Sequence, residues 1–87
     1  MDIDQKRAAL GSAIRQRREG QGLSQYRLAL MVGSSKSHIW RIETGRVGVG
    51  IDDLARIAEA LDTEVRDLVS FYAAPRPSAP PSSAPRA

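Results

Sequence analysis

The fold of this 87-residue chain is decided by residues 22–46, which read GLSQYRLALMVGSSKSHIWRIETGR. Ser24 is a good helix N-cap and Gly33 is typical of a helix end, so we predict a helix between them. A second helix follows, with Ser34 as its predicted N-cap and Gly45 at its end. Apolar residues at helical spacing turn one face of each helix towards a core: Leu28, Ala29, Val32, Ile39 and Ile42. The stretch therefore predicts two short helices joined by a tight turn.

The second of these helices has a polar face opposite its apolar face. With 3.6 residues per turn, Ile39 and Ile42 point towards the core. The residues that point away from it are Lys36, Ser37, Trp40, Arg41 and Thr44. Lysine and arginine can contact guanine edges or phosphates, hydroxyls can bond to either, and an aromatic ring can touch a thymine methyl group or a sugar. This face is a candidate for entering a DNA groove.

Trp40, the only tryptophan, admits three interpretations. Tryptophan is usually well buried, so Trp40 could belong to the core if the last helix or a second subunit covered it. Its place on the outward face favours contact with DNA or with a protein partner instead. The residues alone leave these alternatives open, and we assign Trp40 to the predicted base-reading set.

The other elements are also predicted to be helical, because the alternating pattern of a strand is absent. A first helix is expected over residues 4–19 and a fourth over residues 51–60. A short fifth helix follows, with Asp62 or Thr63 as its predicted cap. We therefore predict an all-α, five-helix domain over residues 1–72.

The chain changes character after residue 72. Residues 73–87 are rich in proline, alanine and serine, and they hold all five prolines. This composition predicts a disordered or extended tail. The tail is either an unstructured end or a tether that binds a partner.

Composition excludes several classes of protein. Without cysteine there is no thiolate metal site, and one histidine does not make a metal site, so we expect no metal and no cofactor. We place the protein in the reducing cytoplasm, because no apolar run approaches the about 20 residues of a membrane span and the acidic start is not a signal peptide. Residues 1–50 carry nine Lys and Arg against four Asp and Glu, whereas residues 51–70 carry two against six. The first half is thus a candidate surface for a polyanion.

Residues 22–46 resemble the helix-turn-helix of phage-repressor-like regulators of the Cro/XRE type. The matching residues are Gly22, Leu23, Ser24, Gln25, Leu28, Ala29, Gly33, Ser37, Ile39, Ile42, Glu43, Gly45 and Arg46. IDDLARIAEAL, residues 51–61, resembles the fourth helix of that family, and the resemblance covers residues 8–70. It implies a repressor that binds double-stranded DNA as a homodimer on a palindromic operator, with a recognition helix at residues 34–44 in the major groove.

The resemblance also implies roles for single residues. The base-reading set, to which we add Trp40, is Lys36, Ser37, Trp40 and Arg41. The set assigned to the DNA backbone, with Ser24 and Ser35 added, is Ser24, Gln25, Ser35, Thr44 and Arg46. Arg18 and Glu43 match an ion pair that ties the first helix to the third.

Departures from the family pattern indicate further surfaces. Arg17 stands where the family usually has an apolar residue, and Leu30 and Met31 stand at sites that are commonly polar. A protein partner is therefore expected through Leu30, Met31 or the tail. The predicted dimer interface is the last apolar cluster: Val65, Leu68, Val69, Phe71 and Tyr72. Val65 and Leu68 could instead close the core, and the two roles are compatible.

Other functions remain open at this point. An antitoxin or a restriction–modification controller would also bind DNA and would regulate its own operon. A protein-interaction module would reuse the fold without DNA, although the basic face favours DNA. An enzyme is not expected, because His38 has no identified nucleophile partner.

Overall fold

The computed structural model describes residues 1–72 and is all-helical. Its elements are α1 (Ile3–Gly20), α2 (Gln25–Val32), α3 (Lys36–Glu43), α4 (Ile51–Ala60), α5 (Val65–Leu68) and a final 3₁₀ turn (Ser70–Tyr72). The predicted all-α fold with five α-helices is confirmed over these residues. The predicted tail, residues 73–87, lies outside the part of the chain that is described.

The first two helices begin where side chains can satisfy their free amides. Asp2 and Gln5 form a reciprocal capping box at α1, with the Gln5 amide donating to Asp2 Oδ1 at 2.7 Å. Ser24 caps α2 as predicted, since its Oγ accepts from the Arg27 amide at 3.0 Å. Gly33 ends α2 in the left-handed region with φ 72°, a conformation that glycine adopts without steric cost.

The predicted cap of α3 was wrong by one residue. The Oγ of Ser35, not of Ser34, accepts from the backbone amide of His38 at 3.1 Å. The amide of Ser34 instead donates to the Ala29 carbonyl at 2.8 Å. Ser34 therefore completes the end of α2, and α3 starts one residue later.

The predicted cap of α5 was also wrong. Glu64 occupies the N-cap position, and its side chain makes no capping hydrogen bond. Asp62 has φ 55°, and the Thr63 amide donates to the Ala58 carbonyl at 2.9 Å. Both residues thus serve to end α4, which leaves α5 only the four residues Val65–Leu68.

One apolar core lies between the helices. Its buried members are Ile14, Leu28, Ala29, Ile39, Ile42, Leu54, Ile57, Ala58, Leu61 and Leu68. Leu68 is 0% exposed, so its side chain fills the core and offers no surface for a dimer. The prediction that Leu68 belongs to a dimer interface is therefore wrong, because α5 is so short that its inward residue closes the core.

Two glycines allow α1 to lie directly on the end of α3. A Cβ at Gly11, inside α1, would lie 2.6 Å from the Glu43 carbonyl oxygen and would also overlap that of Ile42. Gly45, just after α3, has φ 73°, and a Cβ there would lie 2.9 Å from Ala8 Cα. Backbone therefore meets backbone at this contact, which fixes the end of α3 against α1.

Candidate nucleic-acid interface

The inward face of α3 is anchored in the core. Ile39 and Ile42 are each 1% exposed and pack with residues of α1, α2 and α4. Glu43 follows at the end of the helix and is also buried. The helix is therefore held by its inner side, which determines the direction of its outer side chains.

Glu43 is held by a buried network that links three helices. Arg18 Nε lies 2.6 Å from Glu43 Oε2 and its Nη2 lies 2.9 Å from Oε1, a bidentate pair, while Nη1 donates to the Leu23 carbonyl at 2.7 Å. Gln25 Nε2 donates to Glu43 Oε1 at 3.0 Å. Hydrogen bonding to Glu43 raises the pKa of Arg18 above its ordinary value, against the opposing effect of burial. With Gln25, the charge-assisted pair joins α1, the start of α2 and the end of α3.

The outer face of α3 is open to solvent. Its exposed side chains are Lys36, Ser37, Trp40, Arg41 and Thr44. A shallow groove of about 510 Å³ runs along this face, and its walls are Gln25, Lys36, Ser37, Trp40 and Arg41. The side chains predicted to read bases therefore stand together around one concavity, next to the first residue of α2.

Trp40 is not a core residue, because 44% of it is exposed. The guanidinium carbon of Arg46 lies 4.9 Å from the centre of the indole ring, a distance typical of cation–π stacking. The Thr44 hydroxyl donates to the Trp40 carbonyl at 2.8 Å. Sequence reasoning assigned Thr44 and Arg46 to the DNA backbone and missed both contacts with Trp40.

Residues 9–77 match the sequence profile of a family described as a helix-turn-helix domain. The chain belongs to the Cro/XRE-type helix-turn-helix family of transcriptional regulators. By their place in the chain, α2 and α3 correspond to the helix-turn-helix of this family. The family and the fold are those of DNA-binding regulators.

Solved structures with the same fold support the assignment. The restriction-modification controller protein C.AhdI from Aeromonas hydrophila is 34% identical with a TM-score of 0.69, over 70% of this chain and 92% of that chain. The clp gene regulator ClgR from Corynebacterium glutamicum is 33% identical with a TM-score of 0.72, over 74% of this chain and 82% of that chain. A hypothetical transcription factor, NHTF from Neisseria, is 26% identical with a TM-score of 0.72, over 79% of each chain. A comparison with curated proteins found no match.

The residues that the sequence assigned to the DNA backbone lie around α3. Ser24 and Ser35 sit at the N-termini of α2 and α3, where the remaining free amides and the positive helix ends can bind phosphate. Thr44 and Arg46 lie beyond the other end of α3 and are exposed. Gln25 is half-buried, and its amide group is directed to Glu43, a contact that the sequence did not indicate.

His38 lies at the edge of α3 and faces α4. Its Nε2 is 3.7 Å from Asp53 Oδ2, and Asp53 also contacts Arg56 Nη1 at 3.2 Å. This arrangement joins two helices near the surface. The only histidine of the chain thus has a carboxylate on α4 as its neighbour.

The rest of the predicted dimer interface is only partly available. Val65 and Val69 are half-buried against the core, and Phe71 is half-buried as well. Val69 and Phe71 line an apolar groove of about 280 Å³ together with residues of α1, among them Ile3. The side chain of Tyr72 lies outside the described part of the chain.

The surfaces that depart from the family pattern are exposed. Leu30 and Met31, on the outer side of α2, are 56% and 53% exposed. Arg17 is exposed on α1. Among the helices of residues 1–72, none is long and apolar enough to cross a membrane.

Proposed function

We propose that this chain is a sequence-specific transcriptional repressor that binds a palindromic operator as a homodimer. The observation that carries the proposal is the outer face of α3, where four side chains with base-reading chemistry are exposed around one groove: Lys36, Ser37, Trp40 and Arg41. The charge distribution supports it, since the basic half of the chain contains this face. In a cell the protein would act on DNA in the cytoplasm.

Phosphate contacts would set the register of the helix in the groove. The amides at the start of α2 and α3 are the natural partners of phosphate oxygens, and Ser24 and Ser35 stand beside them. Thr44 and Arg46 would hold the same strand beyond the other end of the helix. These contacts carry little sequence information by themselves.

Base contacts would come from the groove side chains. Arg41 is exposed, and its guanidinium can donate two parallel hydrogen bonds to the O6 and N7 atoms of guanine. Lys36 and Ser37, one turn earlier, would contact neighbouring bases. The buried Arg18–Glu43 pair supports this assignment, because it holds the helix without using any outward side chain.

A dimer is needed because one small domain makes few base contacts. A twofold dimer doubles them and requires two half-sites about one helical turn apart. We assign the interface to the exposed parts of Val69 and Phe71, which line the apolar groove next to α1, together with Val65 and Tyr72. A repressor of this kind acts by occupying a promoter.

In-vitro selection of DNA from a random pool tests the proposal. The expected result is an enriched palindrome with half-sites about 10 base pairs apart. The selected operator should bind two copies of the chain, as measured by analytical ultracentrifugation of the complex. A pool that stays random after selection would remove the proposed function and leave a protein-interaction module, and an enriched site that binds one copy would remove the homodimer.

A controller that regulates its own operon is a second candidate. It is favoured by the 34% identity to the restriction-modification controller protein C.AhdI. If the controller is an antitoxin, the exposed Leu30 and Met31 would form the surface that binds its protein partner. Binding of the chain to the DNA upstream of its own gene, compared with a promoter elsewhere in the genome, separates autoregulation from control of other genes.

A further inference from the structure

The exposed indole of Trp40 costs free energy unless it has a ligand. Tryptophan buries more apolar area than any other side chain, yet Trp40 is 44% exposed in the described structure. Its neighbours on the groove are Lys36, Ser37, Arg41 and Gln25, all of them polar. The indole is thus an isolated apolar wall within a polar groove.

Trp40 is also fixed in place. Arg46 covers its ring, with the guanidinium carbon 4.9 Å from the ring centre. An arginine that stacks on an indole keeps the charge close to the ring and restricts the side-chain rotamers. The ring therefore presents its uncovered surface to the groove before any ligand arrives, which lowers the entropy cost of binding.

The major groove of DNA offers few apolar groups to such a wall. The edges of the bases present hydrogen-bond donors and acceptors, and the apolar exception is the methyl group on C5 of a pyrimidine. Thymine carries this methyl group, and so does 5-methylcytosine. The indole has a single N–H donor and no acceptor, so a methyl group suits most of its surface better than a polar base edge does.

We infer that Trp40, held by Arg46, reads the C5-methyl group of a pyrimidine next to the base read by Arg41. The inference rests on the proposed function, since it requires α3 to lie in the major groove. It makes Trp40 the specificity-determining apolar contact of the recognition face and Arg46 its positioning residue. The two sources of the methyl group, thymine and 5-methylcytosine, differ only in the ring that carries it.

The experiment uses the operator obtained by selection and removes or adds single methyl groups. Each thymine is replaced in turn by deoxyuridine, and each cytosine by 5-methyldeoxycytidine. We expect one position per half-site at which removal of a thymine methyl weakens binding about fourfold, or at which methylation of a cytosine strengthens it about fourfold, the effect of burying one methyl-sized group. The dissociation constant is measured by fluorescence anisotropy of labelled DNA.

Variants assign the methyl dependence to Trp40. The full-length Trp40→Ala variant should bind methylated and unmethylated operators equally, whereas Trp40→Phe should keep part of the difference. Arg41→Ala is the matched control, because it should weaken binding and leave the methyl dependence intact. Methyl dependence that persists in Trp40→Ala, or an operator without any methyl-sensitive position, overturns the inference.

Two further measurements test Arg46, one on the free protein and one with DNA. Because Trp40 is the only tryptophan, fluorescence excited at a wavelength that tyrosine does not absorb reports this site alone. We expect Arg46→Ala to make the indole more accessible to acrylamide, a neutral quencher, and to reduce the ratio of affinities for methylated and unmethylated operators. Equal quenching and an equal ratio in wild type and Arg46→Ala would remove Arg46 as the positioning residue.

The proposed function and the inference about Trp40 fail in different ways. A random pool after selection means that the proposed function has failed. An enriched operator that is bound equally with and without every methyl group means that only the inference about Trp40 has failed, and that the indole contacts sugar or nothing.

Discussion

The two faces of α3 are built on opposite principles. On the inner face, Ile39 and Ile42 are buried and Glu43 is bound to Arg18. On the outer face, Trp40 and Arg41 are exposed, and Arg46 stacks on the ring of Trp40. One helix of eight residues thus has its buried contacts and its exposed groove on opposite sides. Substitutions on one face should change unfolding, and substitutions on the other should change DNA binding.

The largest effect is expected on the inner face. Replacing Glu43 by alanine leaves the Arg18 guanidinium buried without its partner, and we expect a loss of about 3–5 kcal/mol in the free energy of unfolding. Urea denaturation followed by circular dichroism measures it. The matched control is Arg15→Ala, which breaks the exposed Arg15–Glu19 pair at 3.0 Å and should cost no more than about 1 kcal/mol. Equal losses of unfolding free energy for the two variants would contradict the expected dependence of stability on the buried inner face of α3.

The next effect is expected on the outer face and in a different quantity. Arg41→Ala should lower affinity by about 1–3 kcal/mol at one base position of the operator and relax the preference there, because a bidentate contact with guanine is lost. Titration of operator variants measures it, and the urea midpoint should stay unchanged. A uniform loss of affinity for all sequences would show that Arg41 contacts phosphate instead.

A smaller effect is expected at the N-terminus of α3. Ser35→Ala removes the side-chain cap of α3 and should cost about 1 kcal/mol in the free energy of unfolding. Ser34→Ala serves as the comparison, since the contribution of Ser34 to the turn is its backbone amide, which alanine retains. A larger loss for Ser34→Ala than for Ser35→Ala would return the cap to the residue first predicted from the sequence.

The smallest effect concerns a charge beyond the end of the helix. Arg46→Ala should lower affinity for every sequence, in addition to reducing the methyl preference of Trp40, and should reduce the slope of log K against log salt by about one, because one phosphate contact is lost. Arg46→Lys keeps the charge and should keep the slope. If Arg46→Ala left the slope unchanged, Arg46 would belong to Trp40 alone and not to the phosphate set.

Much of the fold could be predicted from local sequence patterns, and the two wrong helix caps also have local causes. Ser24 and Gly33 predicted α2, and the apolar spacing of residues 51–60 predicted α4. The caps of α3 and α5 were wrong because neighbouring hydroxyl and carboxyl residues compete, and the choice depends on how the preceding helix ends. Apolar periodicity does not show that the backbone amide of a residue such as Ser34 already donates to the preceding helix.

The candidate site was predictable in its direction but not in its contacts. The helical wheel predicted the outward face from Lys36 to Thr44, because that geometry is fixed within one helix. The contact of Gln25 with Glu43 and the burial of Leu68 depend on residues far apart in the chain. Gly11 could have predicted the close approach of α1 to α3. A glycine inside a helix costs about 1 kcal/mol relative to alanine, so it indicates close packing.

The contact at Gly11 and Gly45 has a consequence for protein engineering. Because backbone rests on backbone at this contact, α3 contributes no side chain there that could be trimmed or enlarged to move its end on α1. New binding preferences must then come from exchanging outward side chains at a constant helix pose. A combinatorial library at Lys36, Ser37, Trp40 and Arg41, with both glycines retained, would sample new targets while the scaffold keeps its shape.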